Sequence, residues 1–379
     1  MKLAFTIFKY FPFGGLQLDF KRLLLEGLRR GHEITVLYDR WEGSFIEGAK
    51  YEKIPVLAIS NRMKAQIFEK KANDFLKQHH FDAVIGFNRM KGLDIYFAAD
   101  NCFREKSVRK NPLIKLVSPR YKTYEQMEHA VFKKDAPTRI LYLTEQQKAV
   151  YQQHYGTQEE RFFEVPPGVD PSCMPPDDPE ERKQIRRKIR TQFGISQETV
   201  LLVQICSSFR TKGVDRSLKA LGALPEPLKQ KICYVIAGND KPGKLALLAE
   251  KLNLADKIHF IGGCNYVRDL LTGADLMIHP AREEAAGNVL AEAIANHLPV
   301  ICSGNCGYAP LVAQAGGKVL TNPFSQMEFS HLLEDLLISP EMFAELKAEA
   351  AANAQHIDFL HRAEKTFDYI EESIQHAGN

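Results

Sequence analysis

Glu284 and Glu292 stand eight residues apart in the stretch HPAREEAAGNVLAEAIANHLPV, on either side of Ala285, Ala286 and Gly287. Two carboxylates so close together invite three readings: an acid/base pair, a metal site, or acceptors that hold a ligand. Carboxylates that cleave a glycosidic bond face each other across it at about 5–9.5 Å, whereas both of these belong to one loop-helix element. The metal reading is weaker still, because the chain has no D-x-D to anchor a metal-bound diphosphate. The ligand-holding reading is favoured, since an ionised carboxylate accepts hydrogen bonds through both oxygens and suits neutral hydroxyls. Ala285, Ala286 and Gly287 are expected to open the helix that carries Asn288 and Glu292, so that its unpaired N–H groups favour an anion. A sugar nucleotide has the matching pieces: a ribose diol, a diphosphate and a sugar ring.

Such a diphosphate needs positive charge. In SSFRTKGVDRSLKA (207–220), Arg210 and Lys212 follow an apolar run and precede a helical one, where they would project from a strand end. The bland alternative is a pair of solvated loop cations. In FPFGGLQ (11–17), Gly14 and Gly15 stand immediately before a helix, where glycine lets backbone approach a ligand and the helix start attracts anions. It is otherwise a tight turn; the dinucleotide fingerprint G-x-G-x-x-G is absent. GNDKPGKL (238–245) matches the cradle of a P-loop, but Leu245 stands where a magnesium-holding hydroxyl is required, so it reads as an ordinary strand-to-helix turn. His32 and His279 flank strands and are expected to be structural, and Trp41 to be a packing anchor.

The elements that must position these residues alternate. Strands are expected at 3–8, 33–39, 83–87 and 139–144, then at 199–205, 232–238, 257–262, 276–281, 299–304 and 317–320, with helical stretches between them. The fold class is therefore α/β, two doubly wound Rossmann-like domains. Five prolines within eleven residues in VPPGVDPSCMPPDDPEER mark the linker. An N-terminal domain over 1–168, a C-terminal domain over 169–355 and a terminal helix over 356–379 that packs back on the first domain are expected. Ligands of this class bind beyond the carboxyl ends of the strands, which directs attention to the loops 9–15, 88–100, 206–213 and 282–287.

Composition narrows the partners. A net charge of +3 over 379 residues, with no long basic block, excludes nucleic acid as the main one. Seven scattered cysteines without C-x-x-C suit a reduced, cytoplasmic protein without structural zinc. The opening MKLAFTIFKYFPFGG reads as a first strand and not as a secretion signal, since Lys9 interrupts a short apolar run. The segment 101–126 is the exception: Arg104, Lys106, Arg109, Lys110, Lys115, Arg120 and Lys122 against Glu105 and Glu125 give it +5, interleaved with apolar and aromatic residues. That composition suits an anionic membrane surface, where each Lys or Arg contributes about 1 kcal/mol. Its bland alternative is a solvated helical insertion.

Taken together, the E-x7-E of EEAAGNVLAE, the preceding HP, the KG after the first strand of the second domain, VPPGVD at the linker and FGG…GH at the start resemble retaining glycosyltransferases of family four, which have the GT-B fold. FKYFPFGGLQ, WEG, GFNRMKGLDIYFAAD, KGVDRS and CGYA narrow the resemblance to members that add glucose to a heptose of the lipopolysaccharide core. It runs over essentially the whole chain. The resemblance implies a metal-independent enzyme with no cofactor, a uridine diphosphate sugar as donor, a lipopolysaccharide core acceptor, and work at the cytoplasmic face of the inner membrane. It implies that Glu292 holds the ribose hydroxyls, Glu284 the donor sugar and Lys212 the diphosphate. Gly14 and Gly15 would close on the phosphates, and the Ile261 backbone would meet the uracil. Asp19 and Asp100 match acidic positions facing the reacting sugar, Asp100 in a site role and not as a nucleophile. One departure is visible: relatives carry Arg directly before Lys-Gly, whereas Thr211 stands there and Arg210 precedes it. A transferase with another lipid-linked acceptor, a sugar-nucleotide epimerase and a non-catalytic carbohydrate-binding scaffold are the alternatives; the epimerase would convert its donor with no acceptor present.

Overall fold

Short, aliphatic runs separated by helices can pair only in parallel, because each helix returns the chain to the edge from which it started. The computed structural model describes residues 1–12, 14–108 and 117–377, so Arg109, Lys110 and Lys115 of the expected membrane-facing set lie outside the described residues. The chain divides into one unit of Met1–Pro166 with His361–Asn379 and a second of Pro167–Leu360. These boundaries differ from the expected 168 and 355 by a few residues, because Val169 N–H donates to the Phe359 carbonyl at 2.9 Å and ties both connections into the second unit.

In the first unit, β1 (Lys2–Tyr10), β2 (Glu33–Trp41), β3 (Lys50–Lys53), β4 (Ala83–Gly86), β5 (Ile95–Ala98), β6 (Arg139–Tyr142) and β7 (Phe162–Glu164) form a parallel sheet in the order β3-β2-β1-β4-β5-β6-β7. Three strands were not expected. β3 and β7 are edge strands of four and three residues, too short to show a period, and three of the four β3 residues are charged. β5 corrects the reading of 88–100 as one loop, since Ile95–Ala98 is buried along its whole length. The helix Gly15–Arg29 buries Phe20, Leu23, Leu24 and Gly27, and Phe20 meets Phe87 edge to face at 4.9 Å. Arg362–Ala377 belongs to this unit and packs on that helix; Gly27 has no side chain where the Phe367 ring lies, a Cβ there standing 2.7 Å from it. Arg30 pairs with Glu371 at 2.6 Å across this seam, and His32 with the same carboxylate at 2.7 Å, the structural role expected of it. Trp41 stacks on Tyr10 at 4.0 Å, a packing anchor as expected.

In the second unit, β8 (Val200–Ile205), β9 (Ile232–Ala237), β10 (Ile258–Gly262), β11 (Leu276–His279), β12 (Val300–Ser303) and β13 (Lys318–Leu320) match the six expected strands and pair in parallel in the order β10-β9-β8-β11-β12-β13. Leu202, Leu218, Ile236, Ile278 and Phe329 are among its fully buried core. Asp275, at the foot of β11, gathers Arg186, Arg190 and Lys347 at 2.7, 3.1 and 2.7 Å and so fastens two helices to the sheet. Both sheets reverse their order once, between β1 and β4 and between β8 and β11. At such a switch point the adjoining loops diverge to opposite faces and leave a crevice at the carboxyl ends of the strands.

Candidate functional site

The switch point of the second sheet joins the loop after β8, with Lys212, to the loop after β11, with Glu284. Lys212 Nζ lies 2.7 Å from Glu284 Oε2, and His279 Nε2 lies 3.0 Å from the same oxygen. Three constraints shape and join the loops. Gly213 adopts φ 73°, and a Cβ there would stand 2.1 Å from the Pro280 carbonyl oxygen, so only glycine allows this approach. Gln204, fully buried in the otherwise aliphatic β8, donates from Nε2 to the Lys212 carbonyl at 2.7 Å while its Oε1 accepts from Ser217 at 2.9 Å. Arg282 clamps Asp215 with two bonds of 2.7 Å and donates to the Arg210 carbonyl at 2.8 Å.

Electrostatics keeps Glu284 ionised. Burial pushes its pKa up, but the hydrogen bond and charge of His279 and the charge of Lys212 outweigh burial and hold it down to about 2. The carboxylate is therefore a permanent acceptor. Its backbone is equally fixed: Glu284 bridges Cys306, its carbonyl accepts from Gly307 N–H at 3.1 Å, and the Ala286 carbonyl accepts from Tyr308 N–H at 2.8 Å.

The helix spans Asn288–Ala295, which corrects the expectation that Ala285 and Ala286 open it: they form the loop in front, and Gly287 is the N-cap at φ 104° with no side-chain cap. Asn288 Oδ1 is buried without a protein hydrogen-bond partner, an acceptor that a ligand donor can satisfy. Glu292 is half-buried one turn further along. Arg210 is exposed beside Lys212. Ile261 stands at an irregularity of β10: register shifts between Phe260 and Gly262, which leaves Ile261 without a paired residue in β9. From β10 to β11 is three strand spacings, about 14 Å, so Ile261, Lys212 and Glu284 form a row along the carboxyl edge of the sheet.

In the first unit, Gly14 caps the helix Gly15–Arg29 with no side-chain cap, and Gln17 fills the space a Cβ would need, donating to the Lys9 carbonyl at 3.1 Å. Asp100 is exposed just past β5. Its backbone is pinned from behind: the Asp100 carbonyl accepts from Gln147 at 2.9 Å and from Tyr151 at 2.8 Å. Arg89 donates to it at 3.2 Å and pairs with the fully buried Glu128 at 2.8 Å. Asp19 is a correction. It is 3% exposed and pairs with Arg362 at 3.0 Å and Arg22 at 3.4 Å, because the inward face of its helix meets the C-terminal helix. It braces that seam and presents no open carboxylate.

Of the membrane-facing set, Arg120 and Lys122 are exposed near the start of the helix Pro119–Phe132 and Lys106 on Phe103–Val108. Arg104 differs, since it donates to the His154 carbonyl at 3.0 Å and lies over the Tyr155 ring. Sequence reasoning missed Gln204, Arg89 and Glu128, and it read His279 as structural without placing it beside Glu284. For Gln204 a signal existed, one polar residue inside LLVQI; for His279 the residue type permitted both roles, and only its distance to Glu284 decides. Among the described residues no group of three or more His, Cys, Asp or Glu could hold a metal ion, and no helix is long and apolar enough to cross a membrane. All seven cysteines are free thiols.

Comparison with known proteins places this geometry. The sequence profile described as "Glycosyl transferases group 1" matches residues 185–356. The lipopolysaccharide glucosyltransferase WaaG of Escherichia coli strain K12 is 39% identical over 98% of this chain and 98% of its own. The crystal structure of WaaG, a glycosyltransferase involved in lipopolysaccharide biosynthesis, superposes with a TM-score of 0.89 at 40% identity, covering 97% of this chain and 99% of the other. Anabaena HepE, solved in complex with UDP and glucose, shares the fold at TM-score 0.75 and 16% identity, over 98% of this chain and 100% of its own. The two Rossmann-like units are those of the GT-B architecture that the sequence motifs implied.

Proposed function

The chain belongs to the glycosyl transferases of group 1, and on that premise we propose that it moves glucose, or a close analogue, from a uridine diphosphate sugar to a heptose of the lipopolysaccharide core. The observation that carries the reading is the Lys212–Glu284–His279 cluster at the switch point, with its ionised carboxylate and its cation 2.7 Å apart. A diphosphate arriving at this crevice takes over Lys212, with Arg210 beside it, and the uncapped helix start at Gly287 adds backbone donors. Glu284, released from Lys212 and still held by His279, accepts from hydroxyls of the transferred sugar. Glu292 accepts from the ribose diol, and the Ile261 backbone serves the uracil. Ala285, Ala286 and Asn288 line the same stretch.

Within the first unit by itself, Gly14 and Gly15 form an uncapped helix start suited to an anion, and Asp100 is an exposed acid just past β5. Phosphate charge is met by Lys212, Arg210 and helix dipoles, which is the basis for proposing transfer without a metal; the chain carries no D-x-D. Lys106, Arg120 and Lys122 support association with an anionic membrane surface that bears the acceptor. The test is a panel of uridine diphosphate sugars with purified core acceptor, with and without chelator. Glucose transfer with retained configuration, unaffected by chelator, is expected. Strong chelator inhibition contradicts the metal-free step. Conversion of donor without acceptor points to an epimerase, and donor binding without any turnover to a scaffold.

A further inference from the structure

The two most exposed aliphatic side chains of the described residues are neighbours in an extended stretch of the first unit. Leu57 is 92% exposed and Ile59 fully exposed. The stretch connects β3 to the helix Asn61–Gln78. Side chains alternate along it: Ile54 and Val56 point into the core at 5% and 8% exposure, Val56 N–H being held by Asp39 Oδ1 at 3.0 Å, while Leu57 and Ile59 point out. A hydrophilic loop would satisfy the fold equally well, so the outward apolar pair has no structural purpose within the unit.

Its surroundings name the partner. Lys53, Arg62 and Lys64 flank it in sequence, and Met63 is 42% exposed on the first turn of the helix. The helix Asn61–Gln78 packs beside Pro119–Phe132. Both run back from the carboxyl end of the parallel sheet, so both start at the same end. Leu57, Ile59 and Met63 therefore share that end with Arg120, Lys122 and Val117, itself 74% exposed. Exposed apolar side chains that share one end of the sheet with exposed Arg120 and Lys122 fit an anionic bilayer, the aliphatics entering the acyl boundary and the cations meeting the headgroups. The carboxyl end of the sheet is also where the ligand loops lie, the end an enzyme must turn toward a lipid-anchored acceptor.

We infer that the 57–59 loop inserts Leu57 and Ile59 into the bilayer, as an apolar anchor separate from the basic 101–126 segment. This rests on the membrane association proposed above. The experiment measures binding of the full chain to phosphatidylglycerol-containing vesicles for the wild type and for the double substitution Leu57→Ser with Ile59→Ser. It adds quenching of a Leu57→Trp reporter by brominated lipid, with Trp41 as background. Binding roughly tenfold weaker for the double variant, with unchanged UDP affinity and melting temperature, and a quenched reporter are expected. Wild-type binding that the double variant retains, with an unquenched reporter, overturns the anchor alone. Absence of wild-type binding to any vesicle removes the membrane reading itself. A change in sedimentation with vesicle binding intact assigns the face to a second copy of the chain and also overturns the anchor.

Discussion

At the scale of residues, the proposed donor site works by charge exchange. Lys212 and Glu284 neutralise each other at 2.7 Å, so donor binding must replace one ion pair by two sets of contacts. Removing Lys212 with Lys212→Ala deletes a charged hydrogen bond to phosphate, about 1.5–3 kcal/mol, and UDP affinity should fall roughly ten- to a hundredfold by calorimetry. Glu284→Gln acts oppositely on UDP alone. It frees Lys212, so UDP should bind roughly three- to tenfold tighter, a change of about 1 kcal/mol, while sugar transfer falls. Equal losses of UDP affinity in both variants would discard the exchange. The same carboxylate sets a pH dependence. Its pKa is held at about 2 against an ordinary 4.5, so its stabilisation is complete above about 4.5 and disappears as pH falls toward 2. In urea unfolding, the stability difference between wild type and Glu284→Gln should shrink by roughly 3 kcal/mol across that window.

At the scale of elements, the helix starts at the two switch points are built from glycine, as is the start at Gly243, while many of the remaining starts carry side-chain caps. Ser60, Ser118, Thr144, Asp178, Ser325 and Ser339 cap their helices with side-chain oxygens. Gly14, Gly213 and Gly287 cap none, and each stands at a switch-point loop. Glycine there leaves the first-turn N–H groups for a ligand. The motif glycines were legible in the sequence for this reason, whereas the supports behind them were not. Glu128 accepts from Phe103 N–H at 2.7 Å, Arg104 N–H at 3.0 Å and Tyr155 at 2.6 Å while pairing with Arg89. It thereby holds the chain from Asp100 into the helix Phe103–Val108, yet nothing in HAVF or EQME marks it out. Glu128→Gln strands the Arg89 charge, and stability by urea titration should fall by about 3–5 kcal/mol. A loss below about 1 kcal/mol would show that this network carries little.

At the scale of the whole molecule, charge is concentrated. The segment 101–126 carries +5 against +3 for the chain, leaving the remainder net negative. Binding to an anionic surface is then directional, and salt weakens it. Replacing Lys106, Arg120 and Lys122 by Ser should weaken binding to anionic vesicles about a hundredfold, at about 1 kcal/mol per cation, and spare turnover of a soluble core acceptor. Arg104 is left out of this variant because its guanidinium is built into the fold through His154 and Tyr155. Equal vesicle binding by the variant and the wild type would place the contact elsewhere on the molecule.

Local chemistry was readable from the chain alone. Aliphatic runs became the central strands β8, β9, β11 and β12 of the second unit, because central strands buried on both faces must be largely apolar. Gly213 of the KG step and Gly287 follow from local backbone needs, a positive φ at each, and sequence states these directly. Tertiary structure decided the rest. β3, β5 and β7 exist because neighbouring strands offer them hydrogen bonds, which their own three or four residues do not announce. Asp19 became a buried ion-pair partner of Arg362, 343 positions away, and His279 became the support of Glu284. Burial and pairing depend on which residues the fold brings within a few ångströms, and separation along the chain carries no record of that distance.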